Sequence, residues 1–351
     1  MKYPAVLGFA DILPELDQFD TIIDARSESE YALDHIPGAV NCPVLNDEER
    51  VRVGTLYKQV GAFEAKKVGA PLVAANIARH IETLFADKPR DWKPLVYCWR
   101  GGNRSGSMAH ILAKIGWPVV QLDGGYKAYR AHVAAALSDP PPVDFRVVCG
   151  TTGSGKSRLL ETLERVGAQV LDLERLAAHR GSVLGHLPDE PQPSQKMFES
   201  QIWDRLRRFD VSKPVFVESE SKKVGNLRVP DAVMERMRAS PCFSLQLSRP
   251  NRVRLLMEDY THFCADPAAL NGQLEHLVQL HGREKIAAWH GMANSGRMAE
   301  LVDQLLVEHY DPAYLRSIDR NFVQYPQAQV VELSDIAPGD FEALARELHA
   351  S

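Results

Sequence analysis

One cysteine of the 351-residue chain lies in a segment suited to holding an anion. Cys98 ends an apolar stretch that we predict to be a strand, and a glycine-rich loop leads from it into a predicted helix. Successive backbone N–H groups and a helix N-terminus attract anions, and the same field favours a reactive thiolate. We therefore predict that Cys98 is a catalytic nucleophile. The residues predicted to bind its anionic substrate are Arg100, Gly101, Gly102, Asn103, Arg104 and Ser105.

A second loop has the complete GxxxxGK[ST] pattern of a P-loop, and it also lies between a predicted strand and a predicted helix. Its glycines allow the backbone to wrap a polyphosphate, Lys156 neutralises the outer phosphates, and Ser157 is placed to hold a Mg²⁺ ion. The pattern predicts a pyrophosphate-like ligand without implying that ATP is hydrolysed. The predicted diphosphate-binding residues are Gly150, Thr151, Thr152, Gly153, Ser154, Gly155, Lys156 and Ser157.

The residues that would complete a nucleotide-hydrolysing site are ambiguous. A candidate Walker B strand ends in Glu218 where aspartate is usual, and Asp172 is a competing acid. Arg249, Arg252 and Arg254 follow the last predicted strand and resemble the arginine-bearing lid of small-molecule kinases. A solvated helix start is an equally good interpretation of these three arginines.

The elements that must position both loops follow a strand–helix alternation that occurs twice. The proline run at residues 138–143 separates the two regions, so we predict two α/β domains with parallel sheets. From Arg249 onward the pattern is mostly helical, which predicts a C-terminal helical extension of the second domain.

Composition excludes several classes of protein. The chain is 45% hydrophobic and 25% charged, and it has neither an apolar run long enough to span a bilayer nor a secretory leader. We therefore expect no membrane association and a cytoplasmic location. Five scattered cysteines without a CxxC pair argue against a disulfide framework or a structural zinc site, so we also expect no metal bound by protein ligands. Basic residues exceed acidic ones in residues 141–254, where a nucleic-acid-binding face would lie.

Three segments of the first region together resemble rhodaneses, which carry sulfane sulfur on a loop cysteine. They are Ile23-Asp24-Ala25-Arg26 with His35-Ile36-Pro37-Gly38, the Cys98 loop, and Leu122-Asp123-Gly124-Gly125-Tyr126. The resemblance covers residues 14–137 and implies mostly structural roles for Asp24, Arg26 and His35, with Cys42 as a packing thiol. The Cys-x5-Arg spacing is one residue longer than in many rhodaneses. It suits a larger anion such as a phosphate, and dual-specificity phosphatases use the same spacing.

The pairing of this region with a P-loop domain over residues 144–351 resembles the bacterial tRNA 2-selenouridine synthases. The diagnostic features are the two loops together, Gly54-Thr55-Leu56-Tyr57-Lys58-Gln59, and Gln192-Pro193-Ser194-Gln195-Lys196-Met197-Phe198-Glu199. The implied fold is an N-terminal rhodanese-like parallel-sheet domain plus a P-loop NTPase-like α/β domain with a helical C-terminal region.

The resemblance also implies an activity. Such enzymes replace the sulfur of wobble 2-thiouridine in tRNA with selenium from selenophosphate, through a geranylated intermediate made from geranyl diphosphate. Cys98 would carry selenium as an S-selanyl group, and the P-loop would hold the geranyl donor. The implied partners are tRNA and the selenophosphate-producing enzyme, with no tightly bound cofactor. Three alternatives remain open: a sulfurtransferase with an ATP-dependent P-loop domain, a cysteine phosphatase fused to a kinase, and a non-catalytic tRNA-binding module.

Overall fold

The computed structural model of the protein describes residues 3–182, 185 and 190–350. The chain divides into two compact units. The N-terminal unit comprises Met1–Ala136 with Glu199–Gln201, and the C-terminal unit comprises Leu137–Phe198 and Ile202–Ser351. No helix within the described residues is long and apolar enough to cross a membrane.

The N-terminal unit is a parallel five-stranded sheet with helices between its strands. Its strands are β1 (Ala5–Leu7), β2 (Thr21–Asp24), β3 (Val40–Asn41), β4 (Pro94–Tyr97) and β5 (Val120–Leu122). Its helices are α1 (Phe9–Ile12), α2 (Glu28–Leu33), α3 (Asp47–Gln59), α4 (Ala62–His80), α5 (Asn103–Ile115) and α6 (Gly125–Ser138), with a 3₁₀ turn at Leu13–Gln18 and a π turn at Ile81–Phe85. The strand order is β1-β5-β4-β2-β3, and every pairing is parallel.

Strand β4 lies at the centre of this sheet, and all four of its residues are buried. A parallel strand that is covered on both faces needs apolar residues throughout, and Pro-Leu-Val-Tyr meets that need. One core of this unit packs Val96 and Cys98 of this segment against Met108 and Leu112 of α5. The central position of β4 therefore brings its carboxyl end, and with it Cys98, to the middle of the sheet edge.

The C-terminal unit is built on a second parallel sheet. Its strands are β6 (Phe145–Cys149), β7 (Gln169–Leu171), β8 (Val215–Glu218), β11 (Cys242–Leu247) and β12 (Gln329–Leu333), in the order β12-β11-β6-β8-β7. A small antiparallel hairpin, β9 (Lys223–Val224) with β10 (Leu227–Arg228), follows β8. Strand β6 is central, so the loop that follows it also starts from the middle of a sheet edge.

The helices of the C-terminal unit fall into two groups. Helices that alternate with strands are α7 (Lys156–Arg165), α8 (Leu173–Leu176), α9 (Gln195–Arg208), α10 (Asp231–Ala239) and α18 (Pro338–Ala350). A consecutive run comprises α11 (Arg249–Asp259), α12 (Thr261–Ala265), α13 (Pro267–Leu274), α14 (Val278–His281), α15 (Arg283–Asn294), α16 (Met298–Leu305) and α17 (Asp311–Asn321), with short turns at Glu275–Leu277, Leu306–Tyr310 and Tyr325–Gln327. This run has its own apolar core around Leu274, Trp289 and Leu301.

The expected helical extension ends earlier than the sequence pattern predicts. Residues 329–350 return to the sheet as strand β12 and helix α18. Strand β12 pairs in parallel with β11, from Phe243 opposite Gln329 to Leu247 opposite Leu333. Helix α18 packs Phe341 and Leu344 into the core beneath the sheet. The last segment therefore completes the α/β layer instead of extending the helical run.

Candidate functional site

The thiol of Cys98 lies at the carboxyl end of β4, directly before the loop that leads into α5. The side chain is buried, and its sulfur accepts a hydrogen bond from the Ser105 hydroxyl at 3.3 Å. Ser105 in turn receives a hydrogen bond from the side-chain amide of Gln121, which also donates to the carbonyl oxygen of Gly102. The loop thus starts at the thiol and returns to it within the first turn of the helix.

The segment around Gly125 holds the start of this loop in place. The backbone N–H of Tyr126 donates to the Cys98 carbonyl oxygen at 2.7 Å, and that of Lys127 donates to Trp99 at 3.1 Å. A Cβ atom at Gly125 would collide with the Cys98 carbonyl, and its φ of +55° also favours glycine. This close approach gives a physical reason for the paired glycines of the segment at residues 122–126.

The two loop arginines have different surroundings. Arg104 is largely buried and forms a bidentate ion pair with Glu30, at 2.5 and 3.1 Å. Burial raises the pKa of Glu30, but the hydrogen bond and charge of Arg104 outweigh it and leave that pKa below its ordinary value. Arg100 is exposed and has no ion-pair partner among the described residues. Glu30 therefore neutralises the charge of Arg104 in this structure, and anion binding by either arginine stays a prediction.

The neighbouring residues Asp24, Arg26 and His35 have structural positions. Arg26 is buried, pairs with Asp24 at 2.6 Å and donates to the Asp34 carbonyl oxygen. His35 stacks on the ring of Tyr31 and contacts its carbonyl oxygen. None of these three side chains contacts the Cys98 sulfur in the described structure.

The other thiols of the described part of the chain are also buried. Cys42 is fully buried in the N-terminal core, and burial raises its pKa to about 12. Cys149 and Cys242 are also buried and belong to strands of the C-terminal sheet. The side chain of Cys264 lies outside the described residues. Cys149 also ends a strand before a helix-leading loop, but the hydrogen bond with the Cys242 thiol and burial raise its pKa, which disfavours a thiolate there.

The second loop, residues 150–155, follows β6 and opens helix α7. Gly155 caps the helix with a φ of +92°, and a Cβ there would lie 2.8 Å from the Phe341 ring. The Lys156 ammonium donates to the Gly150 carbonyl oxygen at 2.8 Å, across the mouth of the loop. The Ser157 hydroxyl donates to Glu174 at 2.8 Å. This is the strand–loop–helix arrangement that the P-loop pattern predicts.

A tyrosine from the helical run closes one side of the P-loop. The Tyr314 hydroxyl accepts a hydrogen bond from the Gly150 N–H at 2.6 Å and contacts the Ser219 hydroxyl at 3.1 Å. Its ring lies 5.6 Å from the Lys156 ammonium. Burial raises the pKa of Tyr314, so the hydroxyl stays protonated. Sequence reasoning missed this residue because no local pattern marks it.

The acids near the P-loop include Glu218 and Asp172, which the sequence offers as Walker B candidates, and Glu174. Glu218 ends β8, and burial together with the charge of Asp172 raises its pKa well above its ordinary value. One of its oxygens accepts the Glu174 N–H, and the other has no hydrogen-bond partner among the described residues. Burial also raises the pKa of Asp172, to about 6. The acid that does touch Ser157 is Glu174, which sequence reasoning did not select.

A cavity of about 390 Å³, partly open to solvent, surrounds the P-loop. Besides Lys156 and Ser157, it is lined by the cationic side chains Arg158 and Arg180 and by the acids Glu174 and Glu220. Arg158 pairs with Asp259 at 2.6 Å, and Arg180 lies over the Tyr260 ring. No group of three His, Cys, Asp or Glu side chains in the described part of the chain is arranged to hold a metal ion.

The predicted arginine lid is not formed, because none of its three side chains lines this cavity. Arg252 is buried and donates to the Thr152 carbonyl oxygen at 2.7 and 2.9 Å and to Asp311 at 2.6 Å. Arg249 and Arg254 are more than half exposed and pair with Asp303 and Asp335. Helix α11 presents only one of the three toward the P-loop, where it supports the backbone.

Comparison with known proteins finds the same two regions. The family described as "Rhodanese-like domain" matches residues 10–132, and "tRNA 2-selenouridine synthase AAA domain" matches residues 143–286. A tRNA 2-selenouridine synthase of Nitrosomonas europaea is 36% identical over 268 residues, which cover 74% of this chain and 68% of the relative. One of Pseudomonas fluorescens is 33% identical over 322 residues, covering 84% and 87%.

A solved structure resembles part of the chain. It is the N-terminal domain of a putative ATP/GTP binding protein from Clostridium difficile 630, at 37% sequence identity and a TM-score of 0.32. It covers 37% of this chain and 98% of that one.

Proposed function

The chain belongs to the tRNA 2-selenouridine synthase family, and from this premise we propose that it exchanges the sulfur of wobble 2-thiouridine for selenium in two steps. The observation that carries the proposal is the presence of two anion-binding loops in one chain. One holds a nucleophilic thiol, and the other is a P-loop whose candidate Walker B acid, Glu218, is buried with a strongly raised pKa. The first suits group transfer on a thiolate, and the second suits binding of a diphosphate without its hydrolysis.

In the first step, the P-loop holds the diphosphate of geranyl diphosphate. The thiouridine sulfur attacks the first carbon of the geranyl chain, so that a C–S bond forms, the C–O bond breaks and the N3 proton of the base passes to solvent. The electron pair of the C–O bond leaves on the diphosphate. Lys156 and the loop amides stabilise the charge that develops on this leaving group. The product carries a thioether at C2 of the base, which is a better leaving group than the original sulfur.

The residues also fit a Mg²⁺ ion beside this diphosphate. The Ser157 hydroxyl lies at the start of α7, where P-loop proteins hold the ion, and phosphate oxygens and water would complete its ligands. When bound, the ion supplies positive charge that stabilises the diphosphate. The roles proposed above for Lys156 and the loop amides do not depend on it.

In the second step, the Cys98 thiolate attacks the selenium of selenophosphate, whose anionic group is held by Arg100 and the loop. An S–Se bond forms, the Se–P bond breaks, and phosphorus leaves with the electron pair as phosphite. The bound selenium then attacks C2 of the base and expels geranylthiolate. A small thiol cleaves the remaining S–Se bond to release selenouridine, and a second thiol frees Cys98, so that the two thiols leave as a disulfide.

The tRNA substrate is assigned to the basic middle third of the sequence. Lys and Arg side chains that neutralise phosphates release counterions, so binding of tRNA should weaken steeply between low and physiological salt. A direct interaction with the enzyme that makes selenophosphate stays a prediction.

The Lys156→Ala variant tests the role of the P-loop. We expect this variant to lose most geranylation of 2-thiouridine tRNA, measured by mass spectrometry of the nucleosides after incubation with geranyl diphosphate. The Lys213→Ala variant changes an exposed lysine outside the loop and should retain full activity. Normal geranylation by Lys156→Ala would remove the P-loop from this step and would favour a sulfurtransferase with an ATP-dependent second domain.

A further inference from the structure

A second cavity, with an enclosed volume of about 60 Å³, lies in the C-terminal unit and has an almost wholly apolar lining. Its walls come from the helical run: Leu256 and Met257 of α11, Leu270 of α13, and one face of α16. That face presents Met298, Leu301, Val302 and Leu305, which follow the spacing of successive helical turns. This volume is below that of typical small-ligand pockets, so a ligand larger than a few atoms fits only if flexible lining side chains such as Met257 and Met298 move.

The apolar cavity adjoins the P-loop cavity. Thr152 of the P-loop lines both cavities, and so do Ser182, Leu256, Tyr260 and Tyr310. A void left by imperfect packing would be enclosed within the helical core, whereas this one extends to the phosphate-binding loop. The two cavities therefore form one site with a cationic end and an apolar end.

Polarity changes along this site in a defined order. Lys156, Arg158 and Arg180 line the P-loop end, and the Arg180 guanidinium lies 4.9 Å from the centre of the Tyr260 ring at the junction. Beyond Tyr260 the walls are aliphatic and aromatic, and Met257 and Met298 supply flexible side chains that adapt to the shape of a ligand. A base and ribose would bury polar atoms here with few partners, which costs binding free energy. An acyclic hydrocarbon attached to a diphosphate meets no such cost.

We propose that the apolar cavity binds the isoprenoid chain of the allylic diphosphate whose head group the P-loop holds. The inference rests on the proposed function, because it assumes that a diphosphate binds to residues 150–157. It adds the location of the chain and the element that limits its length. The α16 face, on which Leu301, Val302 and Leu305 line the cavity, forms the wall against which the end of the chain packs.

Calorimetric titration of the full-length protein with four probes tests this assignment. The probes are inorganic diphosphate, dimethylallyl diphosphate, geranyl diphosphate and ATP. Burial of each added apolar group strengthens binding, so geranyl diphosphate should bind at least about tenfold more tightly than dimethylallyl diphosphate. Inorganic diphosphate should bind most weakly of the four. Lys156→Ala should weaken binding of all of them.

Val302→Trp fills the cavity without touching the P-loop. We expect this variant to weaken the binding of geranyl diphosphate at least about tenfold, while the affinity for inorganic diphosphate stays within about twofold of the wild-type value. The matched control is Val307→Trp, an exposed position on the following turn that lines neither cavity, and it should change neither affinity. Met298→Ala enlarges the cavity and should raise the affinity for farnesyl diphosphate relative to geranyl diphosphate. This third variant keeps the test valid if Val302→Trp does not fold.

The outcomes distinguish failure of the cavity assignment from failure of the proposed function of the P-loop. If inorganic diphosphate binds through Lys156 but the chain adds no affinity, or Val302→Trp leaves geranyl diphosphate binding intact, the cavity assignment is wrong and the P-loop proposal survives. If no diphosphate binding depends on Lys156, the proposed function fails first. If ATP binds more tightly than geranyl diphosphate and Val302→Trp abolishes that binding, the cavity holds a base and the inference is overturned.

Discussion

At the scale of single residues, the described thiols of the N-terminal unit provide an internal comparison. Cys98 lies at a strand end beside a helix-leading loop, whereas Cys42 is enclosed in the core and burial raises its pKa to about 12. We expect incubation with selenophosphate to add the mass of one selenium atom to the wild-type protein and to Cys42→Ala, but not to Cys98→Ala. Intact-protein mass spectrometry measures this directly.

The phosphorus product reports on the same step. Transfer of selenium to the Cys98 thiolate releases phosphite, which phosphorus NMR distinguishes from phosphate. Phosphate formed together with selenouridine would mean that water attacks phosphorus and that selenide leaves freely. That result would contradict the S-selanyl intermediate while leaving Cys98 in the anion-binding loop.

The Glu30–Arg104 ion pair predicts how stability depends on pH. Arg104 holds the pKa of Glu30 below its ordinary value, so the stabilisation is present above that value and is lost as pH falls through the lowered pKa. Glu30→Gln should therefore lower the free energy of unfolding by about 1–2 kcal/mol near neutral pH, and by less once the pH falls below the lowered pKa of Glu30. Urea unfolding at several pH values measures the difference.

Glu82→Gln is the control for this comparison, because Glu82 is exposed on the same unit and has no ion-pair partner among the described residues. Its stability should stay close to that of the wild type across the range. If the difference in free energy of unfolding between Glu30→Gln and the wild type stayed constant with pH, the Glu30 side chain would stabilise the protein by packing and not by its charge.

At the scale of elements, helix α11 supports the P-loop through one arginine. Arg252→Met removes the donor to the Thr152 carbonyl oxygen and leaves Asp311 without this partner. We therefore expect the free energy of unfolding to fall by about 3 kcal/mol and diphosphate binding to weaken. Arg249→Met removes only an exposed ion pair with Asp303 and should cost less than about 1 kcal/mol. Equal loss of diphosphate affinity in both variants would restore the lid interpretation.

The elements also show where sequence reasoning succeeds. Strands Pro94–Tyr97 and Phe145–Cys149 lie where the sequence predicts a strand before each loop, because short apolar runs followed by glycine-rich loops are strong local signals. The two loops are predictable for the same reason, since residue type and spacing alone define them. Both motifs begin where an apolar strand ends.

Other features depend on contacts that are distant in sequence. Strand β12 was not predicted because the local sequence of Gln329–Leu333 does not mark it as a strand, which forms by pairing with the distant β11. Tyr314 reaches Gly150 across more than a hundred and fifty residues, and Arg104 meets Glu30 only once the N-terminal sheet is formed. The lid prediction failed because three arginines at similar spacing point in different directions on one helix.

At the scale of the whole molecule, the chain combines two α/β units, each with a loop that follows the central part of a parallel sheet. We propose a different phosphorus-containing substrate for each loop, selenophosphate for the first and a prenyl diphosphate for the second. The two half-reactions should therefore be separable by leaving out one substrate at a time.

The most direct test is nucleoside mass spectrometry of 2-thiouridine tRNA incubated with the full-length protein. Selenophosphate and geranyl diphosphate are added together and singly, with Cys98→Ala alongside the wild type. We expect 2-selenouridine only from the wild type with both substrates, and geranylated thiouridine from both proteins when geranyl diphosphate is added alone. Unmodified tRNA under every condition, or selenouridine formed by Cys98→Ala, would contradict the account.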